Sequence, residues 1–134
     1  MLEIATICLA LNVYFEARGE PLRGQLAVAH VTMNRAKKDV SQVCHEVARE
    51  RQFSWTIDRV ERTKKGWRLK AGYAPSDMKA WELALKVARA VASGKHRDFT
   101  QGATHFHAVW VQPAWRHEFK VVERIGGHIF YRAA

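Results

Sequence analysis

The chain has 134 residues, 48% of them hydrophobic and 10% aromatic, which is enough for one real core and too little for a second independent domain. Lys and Arg total 22 against 13 Asp and Glu, and the net charge of +9 favours a polyanionic partner: nucleic acid, an anionic membrane face or an anionic cell wall. Two isolated cysteines, Cys8 and Cys44, exclude a zinc ribbon and a multi-bridge secreted framework, and two buried free thiols are the expectation, with a disulfide between them as the alternative.

No internal repeat, low-complexity tract or Pro/Ser-rich linker interrupts the chain, so 1–134 reads as one domain. From Leu2 to Phe15 only Glu3, Thr6 and Asn12 are plainly polar, and a segment apolar all round predicts a helix in the middle of the core. That stretch lacks a basic leader and a small-residue cleavage site, and it is shorter than the roughly 20 residues of a membrane span. Neither an export signal nor a transmembrane helix is expected.

Gly19 supplies a helix stop, and Pro21 suits the first turn of a second helix. Leu22, Leu26, Ala29 and Met33 then recur at helical spacing to about Arg35. A short third helix is expected from Ser41 to about Glu50. Between Thr56 and Pro75 periodicity fails while Arg59, Arg62, Lys64, Lys65, Arg68 and Lys70 crowd in, which predicts a solvated loop or irregular excursion. Ser76 or Asp77 can cap the next helix, where Trp81, Leu85, Ala88 and Val91 share a face until Gly94 ends it. Beyond it, Gly102, Pro113 and scattered aromatics argue for loops and short extended pieces. Val121 to Ile125 and His128 to Tyr131 flank Gly126-Gly127, the pattern of a tight hairpin. The fold class expected is mainly α (α+β), a helical domain with a small C-terminal β-hairpin.

The sharpest chemical feature is Tyr14-Phe15-Glu16-Ala17-Arg18-Gly19-Glu20, where a carboxylate closes an almost wholly apolar helix. Burial and the negative end of the helix dipole both disfavour its ionised form, which would make Glu16 a proton donor near neutral pH. The alternative is a structural carboxylate paired with Arg18 or Arg35. A second carboxylate, if one is needed, has to come from Glu20, Asp58 or Asp98, and none stands out. Gln52-Phe53-Ser54-Trp55-Thr56 combines amide, hydroxyl and indole groups in a composition suited to gripping a sugar, to which Trp110, Trp115 and Tyr131 can add; the alternative is that these aromatics are core residues with satisfied polar tips.

In Ala103-Thr104-His105-Phe106-His107 the two histidines project to one side of an extended segment, an arrangement open to zinc or to hydrogen bonding with a substrate. No third ligand stands at a recognisable spacing. The basic 59–70 cluster with Trp67 is the best argument for nucleic acid in the chain, yet no recognition helix, finger or phosphate loop accompanies it; an exposed basic loop attracted to anionic envelope polymers explains it as well.

Several segments in order, Cys8-Leu9-Ala10-Leu11-Asn12 through Glu20, Gly24-Gln25 to Asn34-Arg35, Gln52 to Thr56, Gly102 to His107 and Gly127-His128-Ile129-Phe130-Tyr131, resemble the SleB-type cell wall hydrolases over nearly the whole chain. The resemblance implies a lysozyme-like fold that cuts the bond between N-acetylmuramic acid and N-acetylglucosamine in peptidoglycan glycan strands, commonly as a lytic transglycosylase. Glu16 falls on the family's catalytic glutamate, and neither a metal, a cofactor nor a second catalytic carboxylate is then required. Gln52, Ser54, Trp55, Thr104, His105, His107 and Tyr131 become the expected substrate-binding residues; Glu20, if it is not simply capping or pairing, is the candidate for a secondary carboxylate. The family includes spore-germination enzymes with export signals and wall-binding repeats, and compact lysis enzymes of bacteriophages. A bare, strongly basic domain looks most like a phage endolysin, expected to be a monomer made in the host cytoplasm that acts on the wall after release; the trimmed catalytic part of a larger wall hydrolase would look the same. The Thr56 to Pro75 stretch carries least of the family pattern. The rivals are a zinc amidase or endopeptidase using His105 and His107, and a non-catalytic module that binds wall or nucleic acid.

Overall fold

Helix α1 (Leu2–Ala17) is the axis around which the protein is assembled. In this computed structural model, which describes residues 2–49 and 53–134, every residue from Cys8 to Tyr14 is buried, while Leu2, Ile4 and Ile7 at the start of the helix are exposed. Apolar side chains on all sides demand neighbours on all sides. They are α2 (Leu22–Arg35), α3 (Val43–Val47) and α5 (Met78–Ala92), each packed directly against α1.

The first helix runs two residues beyond Phe15, which puts Glu16 in its last turn, and Gly19 then breaks it with φ 88°. The third helix is shorter than expected and begins with a 3-10 turn at Val40–Gln42; its expected end at Glu50 lies outside the described residues. The cap of α5 is Asp77, which accepts from the Ala80 N–H at 3.1 Å.

Two expectations are corrected. Cys8 and Cys44 are not free thiols: they form a disulfide between α1 and α3, with Cα atoms 5.2 Å apart. Enclosing α1 brings α3 against it at a spacing that a disulfide bridges, which spacing in sequence does not reveal. The basic 56–75 excursion is not irregular either. It contains a short helix, α4 (Trp55–Arg59), and an antiparallel hairpin of β1 (Val60–Thr63) and β2 (Gly66–Leu69). Val60, Trp67 and Leu69 pack inward, the Trp67 indole donates to the Cys44 carbonyl at 2.8 Å, and the charges occupy the outer surface and the turn.

The expected Gly126-Gly127 hairpin is present as β4 (Phe119–Ile125) and β5 (His128–Ala133), and β3 (His105–Ala108) adds to it in the order β3-β5-β4, all antiparallel. Its turn docks on the segment after α1. The Gly127 N–H donates to Glu20 Oε1 at 2.8 Å, and a Cβ on Gly126, whose φ is 56°, would stand 2.5 Å from that oxygen and 2.8 Å from Pro21 Cδ. Only glycine fits there.

On the chain-entropy account, a crosslink across a sequence separation of 36 contributes roughly 4 kcal/mol. Reduction, or Cys8→Ser with Cys44→Ser, should therefore lower the unfolding free energy by about 2–4 kcal/mol. Urea unfolding with and without reductant measures it, and coincident transitions would show that the bond does not constrain the chain.

Candidate active site

Glu16 opens onto a cleft of about 580 Å³. α1 supplies the acid, α2 supplies Val31 and Arg35, and the entry to α4 supplies Phe53, Ser54 and Ile57. The facing wall is sheet: Thr104, His105 and His107 from β3 and its lead-in, His128 from β5, and Trp115 from the 3-10 turn Ala114–Glu118. Aromatic and aliphatic surface with a few polar groups among it suits a polyol ligand such as a sugar.

The Glu16 carboxyl makes no hydrogen bond or ion pair with any described residue. Arg18 is engaged with the Tyr14 hydroxyl, and Arg35 donates to Glu46 Oε1 at 2.8 Å and to the Thr104 carbonyl at 3.0 Å. Burial pushes Glu16 up to a pKa of about 7, against the opposing charge of Arg59. A carboxyl group poised there is protonated about half the time at neutral pH, the condition for a general acid.

The helix that carries Glu16 is held one turn earlier by Asn12, which is wholly buried. Its amide donates to Thr32 Oγ1 at 3.1 Å and accepts from the Trp55 indole at 2.8 Å. Each polar atom in this chain would be costly to leave unpaired, so α1, α2 and α4 are locked in one relation. Trp55 also packs on Phe15, ring centroids 4.7 Å apart. The Trp55 indole thus faces the core, as in the alternative of aromatics with satisfied polar tips, and it holds Phe15 and Asn12 beside Glu16.

Tyr131 is likewise behind the wall. Its hydroxyl donates to His107 Nε2 at 2.7 Å, while His107 Nδ1 donates to the Ala108 carbonyl at 2.7 Å, so the ring is fixed in one tautomer with both nitrogens engaged. His105 shares a 2.9 Å hydrogen bond with Thr104 and packs on Phe119, centroids 4.2 Å apart. Burial, aided by the Arg35 charge, lowers its pKa, which leaves it a neutral hydrogen-bonding group. Among the described residues no group of three His, Cys, Asp or Glu lies close enough to hold a metal ion. The zinc alternative is not favoured on that ligand geometry.

Ser54, Thr104, His105 and His107 are thus brought together with Glu16, while Gln52 lies outside the described residues. Glu20 is occupied with Gly127 and stands 3.7 Å from His128 Nδ1. Asp58 is exposed outside the cleft. Asp98 belongs to a separate cavity with His30 and His96 and accepts from Asn34 and Thr100. Among the described lining residues Glu16 is the one carboxylic acid. Phe53, from the segment read as suited to a sugar, lines the cleft, as do Ile57, Val111 and His128, which were not proposed for it; the signal for His128 was its place opposite β3, legible only once the third strand is known.

A family model described as Cell Wall Hydrolase matches residues 19–131, a span that begins just after Glu16. Two solved structures are similar at 25% identity and a TM-score of 0.62. One is the catalytic domain of the germination-specific lytic transglycosylase SleB from Bacillus anthracis, with 98% of this chain and 95% of that chain covered. The other is the catalytic domain of the Bacillus cereus SleB protein, with 96% of this chain and 90% of that chain covered. No curated protein matches the chain. The architecture is the lysozyme-like α+β fold of the SleB catalytic domain.

The raised pKa of Glu16 has a stability consequence. Between about pH 4.5 and 7 the folded protein keeps a proton that the unfolded chain releases, so folding stability falls as pH rises through that window. Partial exposure limits the loss to no more than about 3 kcal/mol. Glu16→Gln removes the titration, so in urea unfolding the variant should gain on the wild type between pH 4.5 and pH 8. A constant difference would mean that Glu16 is not held protonated.

Proposed function

Because the chain belongs to the cell wall hydrolase family, we propose that it is an enzyme that cuts peptidoglycan glycan strands between N-acetylmuramic acid and N-acetylglucosamine, with Glu16 as both acid and base. The observation that carries this reading is the single carboxyl group of the cleft, half-buried, unpaired among the described residues and with its pKa near 7. The SleB catalytic domain, whose fold is shared, is described as a lytic transglycosylase.

The chemistry follows from having one acid. Protonated Glu16 gives its proton to the glycosidic oxygen as the C1–O bond breaks, leaving positive charge on the muramoyl ring and a carboxylate on the protein. That carboxylate accepts the proton of the muramoyl C6 hydroxyl as its oxygen closes onto C1. The product is a 1,6-anhydro end, no water is consumed, and Glu16 recovers its proton. Enzymes that use a second carboxylate need it across the ring, and the cleft has no second acid among its described lining residues. Ser54, Thr104 and His105 supply hydrogen bonds to sugar hydroxyl and acetamido groups, and Trp115 supplies an apolar face.

The net charge of +9, which draws the enzyme to an anionic wall, supports a role as a phage endolysin made inside the host and acting once released. The Cys8–Cys44 disulfide supports action outside a reducing cytosol.

Digestion of purified peptidoglycan, read by mass spectrometry, tests the reading. Anhydro-muramoyl ends are expected, Glu16→Gln should lower the rate about 10²- to 10⁴-fold, and chelator should have no effect. The wild-type kcat/KM should decline above about pH 7 as Glu16 loses its proton. Reducing ends would replace the C6 hydroxyl by water in the second step, and cut peptides with intact glycan would end the glycosidase reading.

A further inference from the structure

A second, smaller groove of about 270 Å³ takes its lining from the same two helices as the cleft. α1 gives Glu16 to the cleft and Tyr14 and Phe15 to the groove, where Arg18 joins them from just past the helix end; α4 gives Ile57 to the cleft and Arg59 to the groove. Phe15 of the groove and Glu16 of the cleft are consecutive residues, and the Arg59 guanidinium of the groove is near enough for its charge to act on the Glu16 carboxyl. The segment 72–76 forms the remaining wall, with Tyr73 exposed upon it.

The groove is cationic. The Arg59 guanidinium lies 5.1 Å from the centroid of Phe15 and 5.9 Å from that of Tyr73. Arg18 lies 4.7 Å from the centroid of Tyr14 and donates to its hydroxyl. The same hydroxyl accepts from the backbone N–H groups of Ser76 at 3.2 Å and Asp77 at 3.1 Å, so the Arg18 anchor and the outer wall are fixed together. Among the described residues neither Arg18 nor Arg59 has a carboxylate within ion-pair distance, unlike Arg35, the arginine that lines the cleft, which is paired with Glu46. No Asp or Glu lines the groove. A guanidinium stacked on a ring keeps its N–H edges available, and those edges match a carboxylate. The negative end of the α1 dipole opposes an anion there with about half a charge, against two full positive charges.

We propose that the Arg18–Arg59 groove is a carboxylate subsite that holds the acidic peptide stem carried by the muramoyl residue whose bond Glu16 cleaves. It rests on the glycosidase reading above. The stem hangs from the same sugar that presents C1 and C6 to Glu16, so a cationic groove beside the acid is where its carboxylates can be met. A neutral polymer of N-acetylglucosamine leaves both guanidinium groups unmatched, and the groove thereby selects peptidoglycan over such polymers.

The test compares kcat/KM on glycan strands bearing intact stems with kcat/KM on the same strands stripped of stems by an amidase, the lactyl carboxylate so freed being capped as a neutral amide. The wild type should favour the stem-bearing strands by about tenfold or more, and Arg18→Met with Arg59→Met should bring the ratio close to one. Arg18→Lys with Arg59→Lys keeps both charges and should retain part of the preference, which separates a lost cation from a disturbed fold. An undiminished ratio in the Met variant, or equal rates on both substrates in the wild type, overturns the subsite and leaves the glycosidase standing. Cleavage of neither substrate removes the glycosidase reading and the subsite with it.

Discussion

A helix that is apolar on every side has to be enclosed, and most of this protein answers that demand on α1. Three other helices pack against it, a disulfide ties it to one of them, and its central residues are shut away from water. Enclosure stops where the helix stops. Glu16 stands in that last turn, close enough to the core to be desolvated and close enough to the edge to face the cleft. Its raised pKa is thus a property of its position at the end of an enclosed helix, with Arg59 restraining the shift.

The cleft walls are fixed by polar groups that are themselves mostly buried. Asn12 joins Thr32 to Trp55, and Arg35 joins Glu46 to the Thr104 carbonyl. His107 is held between Tyr131 and Ala108. Each of these links different stretches of chain or fixes a ring on the sheet, and each would leave an unpaired polar atom if it were broken. A site fixed in this way presents its hydrogen-bonding groups without reorganising for each substrate.

The parts of the fold legible in sequence are those governed by local chemistry. The apolar run of α1, the stop at Gly19, the Asp77 cap and the Gly126-Gly127 turn are each set by a few neighbouring residues, and each was read from them. Glu16 was legible for the same reason, since its setting is the end of its own helix. The hairpin of β1 and β2 was not, because each strand has four residues and only Val60, Trp67 and Leu69 face inward among the charges. Residues whose partners are remote could not be assigned those partners from sequence. Trp55 meets Asn12 at its indole, Glu20 meets the Gly127 N–H, and Cys8, expected as a free thiol, is bonded to Cys44 of α3.

The order of the sheet sets a condition on when the site can exist. β5 lies between β3 and β4, although it is the last strand in the chain, so neither neighbour has its sheet partner until β5 is present. His107 waits for Tyr131, and the loop after α1 waits for Gly127. During synthesis, which delivers the N-terminal helices first, a ribosome-bound chain can enclose α1 and present Glu16 while the opposite wall of the cleft is still missing. A nascent chain, or one terminated before β5, is on these grounds a helical core without a complete cleft, and the facing wall appears only when β5 has left the ribosome.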